Sequence, residues 1–126
     1  MGLHDMILVK DNHLVAAGGV GESVARVQEM NRAGLEVEVE VKNLEELDEV
    51  LSLGVDRVLL DNMNLEVLVE AVRRIRTLGE KRPLAEASGN MDLNTVRAVA
   101  EVGVDLISVG ALTHSAPAAD LSLRVL

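Results

Sequence analysis

A chain of 126 residues, nearly half of them hydrophobic and a quarter charged, is long enough to bury one core and excludes bulk disorder. It contains no Phe, Trp or Tyr, so no aromatic platform can stack nucleic-acid bases, and its net charge of −9 repels a polyanion. It has no cysteine, which rules out a disulfide framework, a thiolate zinc site and a cysteine nucleophile. No apolar stretch approaches the roughly 20 residues that span a bilayer, and no basic-then-apolar leader opens the chain. The expectation is a soluble, cytoplasmic single domain over residues 1–126, with neither nucleic acid nor membrane as a partner.

In chain order, the first strand candidate is Met6–Lys10, followed by the loop Lys10-Asp11-Asn12-His13. A helix comes next, with Val20, Val24, Val27 and Met30 on one face. Gly34-Leu35-Glu36 leads into a second strand, Val37–Val41. Asn43 then precedes a helix bearing Leu44, Leu47, Val50 and Leu51, with Glu46 placed as in a capping box. Gly54-Val55-Asp56 repeats the earlier phrase and opens a third strand, Arg57–Leu60. Asn64 begins a longer helix with Leu65, Leu68, Val72 and Ile75 on its buried side. A fourth strand, Leu84–Ala87, is followed by Asp92 and a helix carrying Leu93, Val96, Val99 and Ala100. Gly103-Val104-Asp105 repeats the phrase again before a fifth strand, Leu106–Val109. Gly34, Gly54, Gly79 and Gly103 each follow an amphipathic stretch, where glycine readily ends a helix. One supersecondary unit is being repeated.

Five βα-type units mean α/β class with parallel strands. Side-chain alternation selects the architecture. Glu36-Val37-Glu38-Val39-Glu40-Val41 sets three valines on one face and three carboxylates on the other. A doubly wound sheet would bury those carboxylates under helices, whereas a barrel wall keeps one face toward a polar interior. The prediction is a partial TIM-like barrel with sequential strand order. The alternative is a rearranged doubly wound, flavodoxin-like three-layer sandwich. A complete barrel takes about 200 residues or more, so the chain reads as a fragment, with open sheet edges that favour homo-oligomers.

Lys10, Asp61, Glu86 and Ser108 are expected at or just past the carboxyl ends of their strands, where barrels hold their chemistry. Lys10 suits a phosphate or carboxylate, although a solvated loop explains it equally well. Glu40 and Asp61 would be neighbours across a parallel pair, suited to a hard cation such as Mg²⁺ or to ribose hydroxyls. Helix capping or solvation accounts for either carboxylate alone. Ser88-Gly89-Asn90 and Gly110-Ala111 follow the fourth and fifth strands, where small residues let backbone N–H groups approach a phosphate. Ordinary tight turns are the competing explanation. His4, His13 and His114 match no usual metal-ligand spacing and read as surface or substrate-contacting residues. Gly18-Gly19-Val20-Gly21 lacks the preceding strand that a dinucleotide loop requires.

Five phrases carry a family resemblance: residues 2–13, Glu38-Val39-Glu40-Val41, Leu60-Asp61-Asn62-Met63, Glu86-Ala87-Ser88-Gly89-Asn90 and the stretch from Ser108 to Pro117. Together they resemble quinolinate phosphoribosyltransferase, the carboxylating nicotinate-nucleotide pyrophosphorylase, over the C-terminal part of its barrel. The resemblance implies a reaction of quinolinate with phosphoribosyl pyrophosphate, giving nicotinate mononucleotide, pyrophosphate and CO2 for NAD synthesis, with Mg²⁺. It implies that Lys10 contacts the anionic substrates and that Glu40 and Asp61 face the ribose hydroxyls and the metal. Ser88, Gly89, Asn90 and Gly110 would hold the 5′-phosphate, and His114 would lie near the substrates. The family's N-terminal domain and its quinolinate-gripping arginines have no counterpart in this sequence. The expectation is therefore a truncated or engineered piece that is inactive alone, binds phosphoribosyl pyrophosphate or phosphate weakly, and holds no cofactor tightly. A functional half completed by another chain, or an oligomerising scaffold without catalysis, are the alternatives.

Overall fold

The structure, a computed structural model, describes residues 6–10, 19–109 and, as backbone, 121–124. Its elements are β1 (Met6–Val9), α1 (Val20–Met30), β2 (Glu36–Val41), α2 (Leu44–Leu51), β3 (Arg57–Asp61), α3 (Leu65–Arg76), β4 (Leu84–Gly89), α4 (Leu93–Val102), β5 (Leu106–Val109) and β6 (Leu121–Arg124). Caps start the helices where the sequence indicates. Asn43 Oδ1 accepts from Glu46 N, and Glu46 Oε1 accepts from the N–H of Lys42, the residue before the cap, each at 2.8 Å, in a variant of the capping box. Asn64 Oδ1 accepts from Val67 N at 2.9 Å and Asp92 Oδ1 from Thr95 N at 2.8 Å. The Thr95 N–H and hydroxyl together hold the Asp92 carboxyl below its ordinary range.

The strands form one sheet in the order β1-β2-β3-β4-β5-β6. The first five are parallel, and β6 pairs antiparallel with β5. This sequential order is that of a barrel wall. A doubly wound sandwich reverses its order at a switch point, so that alternative does not describe this sheet. Strand β6 was not expected. Leu121-Ser122-Leu123-Arg124 alternates for only two periods, too short a pattern to mark a strand by itself.

One face of the sheet is apolar. Val37, Val39, Val41, Val58, Leu60, Ala85, Ala87, Ile107 and Val109 are all buried, in one core with Val24, Leu47, Val50, Leu68, Val72, Ile75 and Val99 of the four helices. Consecutive helices pack against one another, as same-handed crossovers require. Each fully buried Leu or Val contributes about 1.5–3 kcal/mol, so aliphatic side chains sustain this core without any aromatic residue.

The repeated phrases before the strands have a structural task. Asp56 Oδ2 accepts from Val37 N and Asp105 Oδ2 from Ala85 N, both at 2.8 Å, so each aspartate captures a donor near the start of the preceding strand. Arg82 clamps Asp105 with two bonds of 2.9 and 3.0 Å, and this holds the carboxyl below its ordinary range. Among the described residues, no helix is long and apolar enough to cross a membrane.

Candidate functional site at the strand ends

Opposite the valine face, alternation and register gather Glu36, Glu38, Glu40, Arg57, Asp61, Glu86, Ser88 and Ser108. Leu8 and Leu84 share this face and are both 37% exposed, and among the described residues no second layer of helices covers it. The polar residues fall into two levels along the strands.

The upper level is at the carboxyl ends. Strand β3 ends on Asp61, which pairs in register with Ser88 of β4, and Ser88 pairs with Ser108 of β5. Ser88 Oγ donates to Asp61 Oδ1 at 3.1 Å, and Lys42 Nζ lies 4.0 Å from Asp61 Oδ2. Both oxygens of the carboxylate are thereby oriented. The backbone tightens the same corner. Asn62 is the one non-glycine residue with positive φ among those described, at 53°, and its N–H donates to Ser88 O at 2.8 Å. Gly89 follows at φ 147°, and a Cβ there would stand 3.2 Å from Asn62 Oδ1 and 3.5 Å from Asn62 Cα. Only glycine suits that position. The small residue that the sequence offers as a phosphate approach is thus also demanded by how closely the ends of β3 and β4 meet.

Glu40 is half-buried and stands opposite Leu59. Glu40 and Asp61 therefore lie on the same face of the β2–β3 pair, offset by two residues along it. Lys10 is exposed one residue beyond the Val9–Val39 pair, at the level of Glu40 on the adjacent strand. Asn90 is exposed just after β4. Gly110 and His114, with His4 and His13, lie outside the described residues. No group of three or more His, Cys, Asp or Glu among the described residues could cage a metal. Two offset carboxylates do match the way Mg²⁺ is held, by one or two protein oxygens together with substrate phosphates.

The lower level was not foreseen as a unit. Arg57 Nη1 lies 3.5 Å from Glu38 Oε2 and 3.5 Å from Glu86 Oε1, while Arg57 Nη2 is 3.9 Å from Glu36. Ser108 Oγ donates to the other oxygen of Glu86. Glu86, third of the 6 residues of β4, thus stands one level below the mouth, whereas Ser108, in register with Ser88, stands at the level of the rim and reaches down to it. Burial, reinforced by the Glu86 charge and only partly opposed by Arg57, raises the Glu38 carboxyl to about 7. The available signal was Arg57 at the head of a strand between two glutamate-bearing strands, which reads as a counter-ion once the register is known.

Charge placement adds one further constraint. Of the 12 lysines and arginines in the chain, Lys10 and Lys42 alone stand at the carboxyl ends of the parallel strands. The others lie within or after helices, as Arg26, Arg32, Arg73, Arg74, Arg76 and Arg97 do, or at the opposite end of the sheet, as Arg57, Lys81, Arg82 and Arg124 do.

Comparison with known proteins gives a consistent picture. Residues 1–124 match the family model described as the C-terminal domain of quinolinate phosphoribosyl transferase. A quinolinate phosphoribosyltransferase of Nicotiana tabacum is 42% identical over 99% of this chain, which covers 40% of that protein. A probable nicotinate-nucleotide pyrophosphorylase of Synechocystis is 39% identical, with 99% of this chain and 42% of that one covered. The solved nicotinate-nucleotide pyrophosphorylase of Francisella tularensis superposes with a TM-score of 0.75 at 40% identity, over 99% of this chain and 43% of that one. The chain therefore spans about 40% of the length of the curated relatives it matches.

Proposed function

Because the chain belongs to the quinolinate phosphoribosyltransferase family, as its match over residues 1–124 shows, we propose that its strand-end mouth binds phosphoribosyl pyrophosphate for nicotinate mononucleotide formation in NAD biosynthesis. The observation that carries this reading is Asp61, its carboxylate turned by Ser88 and Lys42 at the end of β3, beside a loop whose Gly89 admits no side chain. In this reading Asp61 and Glu40 take the ribose hydroxyls, Ser88, Gly89 and Asn90 border the 5′-phosphate, and Lys10 faces the anionic groups. Gly110 and His114 are assigned to the phosphate and the substrates by resemblance alone.

Such chemistry asks for orientation and charge complementarity more than covalent help. The pyridine nitrogen attacks the anomeric carbon as the bond to pyrophosphate breaks. Fixed carboxylates suit the positive charge that develops on the ribosyl ring, and Lys10 suits the departing anion. Mg²⁺, when bound with the diphosphate at Glu40 and Asp61, would neutralise part of its charge. Two lysines are few against a diphosphate, a 5′-phosphate and the two carboxylates of quinolinate. Quinolinate binding and turnover by this chain alone are therefore expected to be weak. We place the protein in the cytoplasm, whereas a Nicotiana tabacum relative is named as mitochondrial and an Arabidopsis thaliana relative as chloroplastic.

Isothermal titration of the full chain with phosphoribosyl pyrophosphate and magnesium tests the reading. Saturable binding that Asp61→Asn weakens is the expected result, and no binding would refute it. A turnover assay on the same sample, with and without a chain supplying the remaining barrel units, tests the expectation of weak activity. Turnover by the chain alone at the level of a full-length relative would contradict that expectation.

A further inference from the structure

The sequence offers no motif at Lys42, and the roles proposed above assign it no contact with the substrate. Its surroundings suggest more. Lys42 is one of two cations at the mouth, next to a carboxylate assigned to the ribose, and its side chain is 48% exposed. It also lines a cleft of about 400 Å³ with Asn43, Leu44, Glu45 and Val67, between the start of α2 and the first turn of α3. That volume lies within the ordinary range for small-molecule sites. One lysine thus touches both the ribose-binding carboxylate and an open cavity beside it.

We propose that Lys42 is a specificity-determining residue of this site, contacting the diphosphate of the substrate and distinguishing it from a sugar bearing only a 5′-phosphate. This rests on the phosphoribosyl reading of the mouth. The 4.0 Å ion pair with Asp61 is long and partly solvated, so exchanging it for a phosphate oxygen costs little. A compact ammonium on a flexible stem makes such an exchange by rotation about its side-chain bonds. Glu45 on the same cleft opposes a bare anion, so the magnesium complex of the diphosphate is the form expected there.

The experiment compares two probes, inorganic pyrophosphate with magnesium and ribose 5-phosphate, titrated separately into the full chain and into Lys42→Ala, Lys42→Gln and Lys42→Arg. Circular dichroism is recorded on each variant. The expected result is a loss of about tenfold in pyrophosphate affinity for the neutral variants, the scale of one charge-assisted contact, with Lys42→Arg retaining most of it. Ribose 5-phosphate affinity should change by less than about twofold. Unchanged pyrophosphate binding in a chain that still binds ribose 5-phosphate overturns the inference and leaves the phosphoribosyl reading standing. Equal weakening of both probes also overturns it, since Lys42 would then act only by shaping Asp61. Failure of the unsubstituted chain to bind either probe overturns the reading and the inference together.

Discussion

Ser88 Oγ reaches across from β4 to Asp61 Oδ1 at 3.1 Å, tying the last residue of β3 to its register partner at the rim of the sheet. The bond engages Oδ1 and leaves Oδ2 as the oxygen nearer Lys42. Asp61→Asn preserves shape and removes charge, so phosphoribosyl pyrophosphate affinity with magnesium should fall by about tenfold or more. Ser88→Ala frees the carboxylate without discharging it, and a smaller loss of about two- to fivefold is expected. Titration calorimetry on the two variants checks the order, and equal effects would contradict it.

Stability should depend on pH through Glu38. Its carboxyl titrates near 7 when folded and near 4.5 when free. The folded state thus holds a proton that the unfolded chain has already released. This contribution is fully present below pH 4.5 and is lost as the pH rises through 7. Denaturant titrations should show a chain less stable at pH 8 than at pH 5, with at most about 3 kcal/mol attributable to this group. Glu38→Gln should flatten the profile over that window. An undiminished slope in the variant would assign the dependence elsewhere.

Arg57 should matter more as the pH rises. Arg57→Met leaves Glu38 and Glu86 facing one another without the guanidinium 3.5 Å from each. Removing one partner from a largely buried charge network costs about 3–5 kcal/mol. The penalty should be smaller at pH 5, where Glu38 is protonated. Paired unfolding curves of wild type and variant at pH 5 and pH 8 measure the difference.

The β3–β4 corner is sterically exacting. Asn62 has φ 53°, so Asn62→Ala should destabilise by about 1 kcal/mol while Asn62→Gly stays within about 0.5 kcal/mol of wild type. Gly89→Ala meets both a glycine-only φ of 147° and the Asn62 contact, and about 1–3 kcal/mol should be lost. Thermal unfolding ranks the three, and an alanine at 89 without cost would contradict the packing.

Much of this architecture is legible in local sequence because each signal has a local cause. Asn43, Asn64 and Asp92 cap because their side chains reach N–H groups three residues on. The Glu-Val alternation of β2 fixes its two faces before any neighbour is known. Relationships between strands are different, because a register is a property of two segments. Nothing local says that Asp61 meets Ser88 instead of Glu40, or that Arg57 serves glutamates on both sides. Lys42 escaped notice for the same reason, since it lies one residue past a strand and gains meaning only from the aspartate across from it. Strand β6 is a further instance, being defined by its pairing with β5 more than by its own four residues.

The sequential order of the strands also bears on how the chain is made. Every strand after the first pairs with the one made immediately before it, so no segment must wait for a distant partner to be synthesised. Contacts between segments close in sequence cost little loop entropy and form early. A growing chain can therefore add one strand at a time to an edge already present, with the aspartates before β3 and β5 fastening each new strand to the one before it as it emerges.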